Sequence, residues 1–242
     1  MTEVTHSYTQ SNELIQSCYK MTLNEKRLLI LGVSQLNPKD SYLDLDRSNP
    51  IEIKVTAEEW IKVYKDDSRN AYRDMRQAAK KIFKRSIVLH PRVGVEEEFH
   101  WFDYAKYDDN KDEVTLRFGH NTAVRLIGMD GDFTSVKLLA VNKLRKASAI
   151  NLYEIAKNIY DLKGIGEWLI EDFRHAMDCQ NKYPNINELK RCVIRPAIEE
   201  VNLQTDLRVE IEYIKTKRQV SRLRFRVFRN EQIDIFANQP YE

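Results

Sequence analysis

The chain is short of the residues that mark most enzymes, metal proteins and exported proteins. Its 242 residues include three cysteines, Cys18, Cys179 and Cys192. They are odd in number and widely spaced, with no CxxC among them, which argues against a disulfide framework and a zinc cage. The five histidines are scattered, and none forms HxH, HExxH or a pairing with cysteine at metal spacing. The stretch EEEFH, Glu96–His100, carries oxygen and nitrogen donors but reads as a charged hairpin turn leading into a strand. No P-loop motif occurs, and KGIGEW (Lys163–Trp168) has a GxG without a third glycine or a preceding strand, so it reads as a helix–helix turn. Twelve tyrosines offer hydroxyls, yet without a histidine pair to hold a metal a strand-nicking tyrosine mechanism has no support. No apolar run approaches the ~18 residues of a membrane span. The start MTEVTHSYTQSN also lacks the apolar stretch of a signal peptide. The expectation is a cytoplasmic protein with no membrane partner, no catalytic residues, no metal and no cofactor.

What is present is a foldable, charge-balanced chain. Hydrophobic residues at 42% and charged residues at 31% place it far from the disordered class. The net charge of +2 hides an uneven distribution, since Tyr213 to Asn230 holds seven basic residues and no acidic one. Such a cluster in a balanced protein suits a polyanion.

Pattern along the chain predicts an α+β protein of two consecutive winged-helix domains, each a helical bundle with a helix–turn–helix and a β-hairpin wing. The first ~12 residues read as a flexible arm. Thr22 and Glu25 form a capping box for a helix running to Leu36, and NPKDSYLDLDRSNP (37–50) reads as a loop. Alternating Ile51, Ile53 and Val55 predict a short strand, and Thr56 with Glu59 caps a helix through Tyr64. Residues 70–85 form a third helix, apolar at Tyr72, Met75, Ala79 and Phe83 and basic at Arg73, Arg76, Lys80 and Lys84. Strands are predicted at 87–90, 99–104 and 114–118. After GMDGD (128–132) the order repeats, with helices over 134–146, 148–162, 167–179 and 187–202, then strands about Leu207–Tyr213 and Leu223–Val227. The domains are read as residues 1–131 and 132–242.

The helix NELKRCVIRPAIEEVN (Asn187–Asn202) carries the strongest DNA-binding signal. Leu189, Val193, Ala197 and Val201 make one apolar stripe, while Lys190, Arg191 and Arg195 precede Pro196 and Glu199 and Glu200 follow it. An interior proline costs ~3 kcal/mol, so the helix is read as broken there. Its basic front half meets DNA as a recognition helix does, and its rear half bends back over the core. In the hairpin, turning both apolar faces inward pairs Ile211 with Leu223 and Val209 with Phe225. That sets Glu212 across from Arg222 and Glu210 across from Arg224, leaving Lys215, Lys217 and Arg218 at the tip for phosphate. Arg222 is a further candidate on the same basic rail, and Arg73, Arg76, Lys80 and Lys84 form a second candidate face.

Three segments in this order, SYTQSNELIQSCYKMTLNEKRLLILGVSQL, LRKASAINLYEIAKN and ELKRCVIRPAIEEVNLQTDLRVEIEYIKTKRQVSRLRFRV, resemble the iteron-binding initiators of theta-type plasmid replication, the Rep initiator proteins. The resemblance covers about Asn12 to Arg229. It implies sequence-specific binding of double-stranded DNA at direct repeats (iterons) of an origin, and no catalytic activity. It also implies a monomer that remodels the origin with the host initiator and replicative helicase, and a homodimer that represses its own promoter. On this resemblance Lys190, Arg191 and Arg195 read bases, and the first domain supplies backbone contacts and the dimer interface. Relatives often place glycine where Lys217 stands, which leaves the turn type of the hairpin open. Two rivals are a tandem winged-helix repressor without a replication role and a rolling-circle nicking endonuclease.

Overall fold

A computed structural model describes residues 7–17, 21–40, 51–65, 69–92, 94–127, 133–231 and 233. Cys18, most of the loop expected at 37–50 and the domain join expected at 131 lie outside them. The chain divides into two units, residues 1–138 and 139–242.

The first unit opens with β1 (Ser7–Ser11), where a flexible arm was expected, and α1 (Asn12–Gln16). Then come α2 (Leu23–Val33), β2 (Glu52–Thr56), α3 (Ala57–Tyr64) and α4 (Ala71–Ile82). Four strands follow: β3 (Ser86–Arg92), β4 (Val95–His100), β5 (Phe102–Asp108) and β6 (Glu113–Phe118). Short α5 (His120–Ala123) and β7 (Phe133–Lys137) complete the unit. The sequence predicts a helix from 134, but Phe133–Lys137 pairs antiparallel with β1, Ser7 opposite Lys137. The alternation of Phe133, Ser135 and Lys137 outward with Thr134 and Val136 buried is a strand pattern. EEEFH lies within strand β4, not at its turn, with Glu97 3.3 Å from Arg125.

Both predicted capping boxes are formed, Thr22 with Glu25 and Thr56 with Glu59. Helix α2 is buried on every side from Glu25 to Val33. That demands partners for its charges, and Glu25 takes two hydrogen bonds from Arg85, at 2.8 and 3.1 Å. The Tyr64 hydroxyl donates to the Arg27 carbonyl at 2.9 Å, while the Arg27 guanidinium lies 4.7 Å from the centre of the Tyr64 ring.

The second unit runs α6 (Leu138–Val141), α7 (Ala147–Leu162), β8 (Ile165–Leu169) and α8 (Ile170–Ala176). Helix α9 (Ile186–Leu189), a wider turn over Lys190–Ile194, and α10 (Arg195–Gln204) make one continuous helix, and β9 (Leu207–Thr216) and β10 (Gln219–Arg229) form the hairpin. KGIGEW is therefore not a helix–helix turn, and the helix expected from 167 begins at Ile170. Gly164, at φ +72°, lets the chain reach β10, where its carbonyl accepts from the Val227 N–H at 2.7 Å. A Cβ there would sit 3.0 Å from the Val227 carbonyl oxygen.

The strand orders are β2-β6-β5 in the first unit and β8-β10-β9 in the second. In each, the strand between the first two bundle helices pairs with the last strand of the hairpin, not the nearer one. The repeat of helix, strand, two helices and hairpin expected from the sequence thus holds for these three-stranded sheets. The first unit inserts a separate β3–β4 hairpin, and the strand expected at 99–104 is divided between β4 and β5. The second core closes on Leu223, Phe225 and Val227, with Phe173 and Phe225 ring centres 6.0 Å apart.

Candidate nucleic-acid interface

The helix from Ile186 to Gln204 changes hydrogen-bond register in its middle. The Arg195 N–H bonds to the Lys190 carbonyl, five residues back, which marks a π turn. Two features of the sequence demand it. A stripe at every fourth residue drifts by about 40° per step around a 3.6-residue helix, and a wider turn takes up that drift. Pro196 has no N–H to give, and it stands in the first turn of α10, where none is required. So the proline does not break the helix, and the rear half is not bent away alone. Leu189, Val193, Ala197 and Val201 are all buried, in the front half and the rear. The outward side of the front half carries exposed Arg191 and Arg195, and half-exposed Lys190.

The three cations are not equivalent. The Lys190 ammonium sits 3.6 Å from the centre of the Tyr213 ring on β9. Tyr213 is pushed upward from the ordinary phenol value by burial, against the opposing charge of Arg195. Arg191 has no ion pair recorded among the described residues.

The hairpin register differs from the expected one by two residues. Leu223 faces Tyr213, Phe225 faces Ile211, Arg224 faces Glu212 and Arg226 faces Glu210. A shift of two keeps every side chain on its face, so the apolar pattern could not decide it. The turn and an irregularity between Val220 and Arg222 decide it. The rail is neutralised from both flanks. Arg224 bonds Glu167 of β8 at 2.8 Å and Glu212 of β9 at 3.3 Å, and Arg222 reaches Glu167 at 3.5 Å. The Glu167 carboxyl is held below its usual range, first by the hydrogen bond from Arg224. Arg222 is thereby tied into the sheet, and Glu167 is a neutralising residue that the sequence reading missed with its strand.

Thr216 pairs with Gln219, so the turn has two residues, Lys217 and Arg218. Lys217 takes φ +58°, the left-handed region in which glycine is the usual occupant. Lys215, Lys217 and Arg218 are exposed, with no ion pair recorded among the described residues.

The basic face of α4 is more committed than its sequence suggests. Arg73 pairs with Asp74 at 3.3 Å, and Arg76 with Asp109 at 3.2 Å, where the Tyr72 hydroxyl also donates. Arg76 and Lys80 both lie over the Tyr107 ring, at 5.5 and 5.7 Å. Lys80 and Lys84 stay exposed. The buried face is Ala71, Met75, Ala78, Ala79 and Ile82, whereas Phe83, expected inward, is 37% exposed.

Comparison with known proteins places this geometry. Residues 7–157 match the family described as initiator replication protein, WH1, and residues 169–227 match initiator Rep protein, WH2. A replication initiation protein of Escherichia coli is 22% identical over 231 residues, 93% of this chain and 71% of that one. An uncharacterised 27.6 kDa protein of the same organism is 24% identical over 209 residues, 82% of this chain and 85% of that one. Among solved structures, a Pi initiator protein in complex with iteron DNA is similar over 95% of this chain and 99% of that chain, with a TM-score of 0.79 and 19% identity. The fold is that of two winged helices, and the chain belongs to the initiator replication protein family.

Proposed function

We propose that this initiator binds direct repeats at a plasmid origin through its second unit. In that reading Arg191 and Arg195 read base edges in the major groove, and Lys215, Lys217 and Arg218 hold the flanking phosphates. The observation that carries the reading is the pairing of an outward arginine face on the helix 186–204 with a wing whose only cations without recorded ion pairs, among the described residues, are those at its tip and the terminal Arg229. The Pi initiator, similar in fold, was solved on iteron DNA, which supports the same mode here. The first unit adds backbone contacts from Lys80 and Lys84 and a homodimer surface. Recruitment of the host initiator and replicative helicase, and repression of its own promoter by the dimer, complete the proposed role. The chemistry is binding and remodelling, not turnover.

The experiment is footprinting and fluorescence anisotropy on the DNA flanking the gene, followed by complementation of an origin-only plasmid. Protection of direct repeats together with plasmid maintenance is expected. Protection without maintenance would favour a tandem winged-helix repressor, and relaxation of supercoiled plasmid in the presence of a divalent metal would favour a nicking enzyme.

A further inference from the structure

Among the described residues, two side-chain ties set far apart along the reading helix join it to strand β9 of the wing. At the far end, the Asn202 side chain on α10 spans the Val209 backbone on β9, accepting from its N–H at 2.7 Å and donating to its carbonyl at 3.0 Å. At the DNA end, the tie is the Lys190 ammonium over the Tyr213 ring, at 3.6 Å. Lys190 lies about 18 Å from Asn202 along the helix, and Tyr213 about 13 Å from Val209 along the strand. Two attachments so separated set the angle between helix and hairpin, which one attachment could not do.

The Tyr213 contact also reaches the helix where its register changes. Lys190 begins the π turn, and its carbonyl accepts from Arg195. Arg195 in turn is close enough for its charge to act on the Tyr213 phenol. One aromatic ring on the wing strand therefore touches the first residue of the turn and lies within the field of the Arg195 guanidinium that follows it.

From this we infer that Tyr213 is a positioning residue, coupling the wing's hold on phosphate to the helix's reading of bases, and that Lys190 serves as its strut and not as a base reader. The inference rests on the DNA-binding reading above. With the strut in place, a wing tip seated on the backbone fixes where Arg191 enters the groove. Without it, helix and wing engage independently, and random sequences are held nearly as before while the cognate repeat is not. The ring itself supplies the contact, so a phenylalanine keeps it and a leucine does not.

The test uses the full chain and four variants, Tyr213→Phe, Tyr213→Leu, Lys190→Met and the Leu/Met double variant, each first shown by circular dichroism and thermal melting to be folded. Affinity is measured on a cognate repeat and on random duplex of equal length. Tyr213→Leu and Lys190→Met should each weaken cognate binding roughly 3- to 30-fold, the span expected from loss of a cation–π contact. The double variant should be no worse than either single one, and Tyr213→Phe should retain near wild-type specificity. On random duplex, Tyr213→Leu should change affinity little and leave the salt slope as in wild type. Additive losses in the double variant, or a loss of base preference in Lys190→Met that Tyr213→Leu does not share, would make Lys190 a direct reader and overturn the inference. So would a leucine variant indistinguishable from wild type on cognate DNA. Failure of the wild-type chain to prefer any repeat over random duplex would overturn the DNA-binding reading itself, and with it this inference.

Discussion

Among the candidate cations, position in the sequence and availability in the fold are different things. Arg191 is exposed with no recorded ion pair among the described residues, so Arg191→Ala should weaken cognate binding by ~1–3 kcal/mol and flatten base preference at one position. Competition against single-base variants of the repeat measures this, and equal losses on all sequences would reduce Arg191 to a phosphate contact. Lys217 has two opposed properties, a tip charge and a left-handed backbone that a side chain tolerates poorly. Lys217→Gly should therefore stabilise the fold by about 1 kcal/mol while lowering the log–log salt slope of DNA binding by roughly one. Denaturant titration reads the first effect and binding at several salt concentrations reads the second. The basic residues of the site were legible in the sequence because charge is local. Tyr213 was not, because its alternation with Leu207, Val209 and Ile211 assigns it to a face without saying what lies against the end of that face.

The capping boxes, α3, α4 and α7 could be foreseen, since each is specified by residues within one or two turns. Strand β8 could not, because its more covered positions are Gly166 and Trp168 and two of its three outward ones, Ile165 and Leu169 on either side of Glu167, are apolar yet half to mostly exposed. Its register partner lies some sixty residues on, and only that pairing makes it a strand. The same strand supplies Glu167, which shares Arg224 with Glu212. Arg224→Ala should accordingly lower the melting temperature and leave DNA affinity near wild type, whereas a large binding defect at unchanged melting temperature would show that the rail touches DNA after all. In the first unit the decisive long-range pair is Glu25 with Arg85. Burial pushes the Glu25 carboxyl upward, but the bonds from Arg85 and Thr22 outweigh it and hold it below the ordinary carboxylate value. Its contribution is full near neutral pH and is lost as pH falls through the acid range. Glu25→Gln should cost about 3 kcal/mol at pH 7, with the gap to wild type closing in urea titrations as pH falls below the ordinary carboxylate range. A gap independent of pH would assign the loss to packing.

Across the molecule, the two units share the topology of one three-stranded sheet but not the pairing of their helix cations. Arg73 and Arg76 on α4 face carboxylates, while Arg191 and Arg195 have no ion pair recorded among the described residues. Sequence preference is therefore expected in the second unit alone. Replacing both Lys80 and Lys84 by alanine should weaken cognate and random DNA by the same factor and lower the salt slope by roughly two, and a changed ranking of repeat variants would contradict that division of labour. The repeat itself was visible as an order of helices and strands, whereas its ends were not. Residues 7–11 and 133–137 look like an arm and a helix until they are set side by side. Bringing together segments so far apart costs about 4 kcal/mol of length-dependent chain entropy, which the rest of the unit largely removes by folding first. During synthesis, then, β1 leaves the ribosome long before its partner exists. It must wait, unpaired and adhesive, until Lys137 has been made. A pause in translation just short of that point would hold a nearly finished unit with an open edge, so the stretch ahead of β7 is where slow codons should be least tolerated.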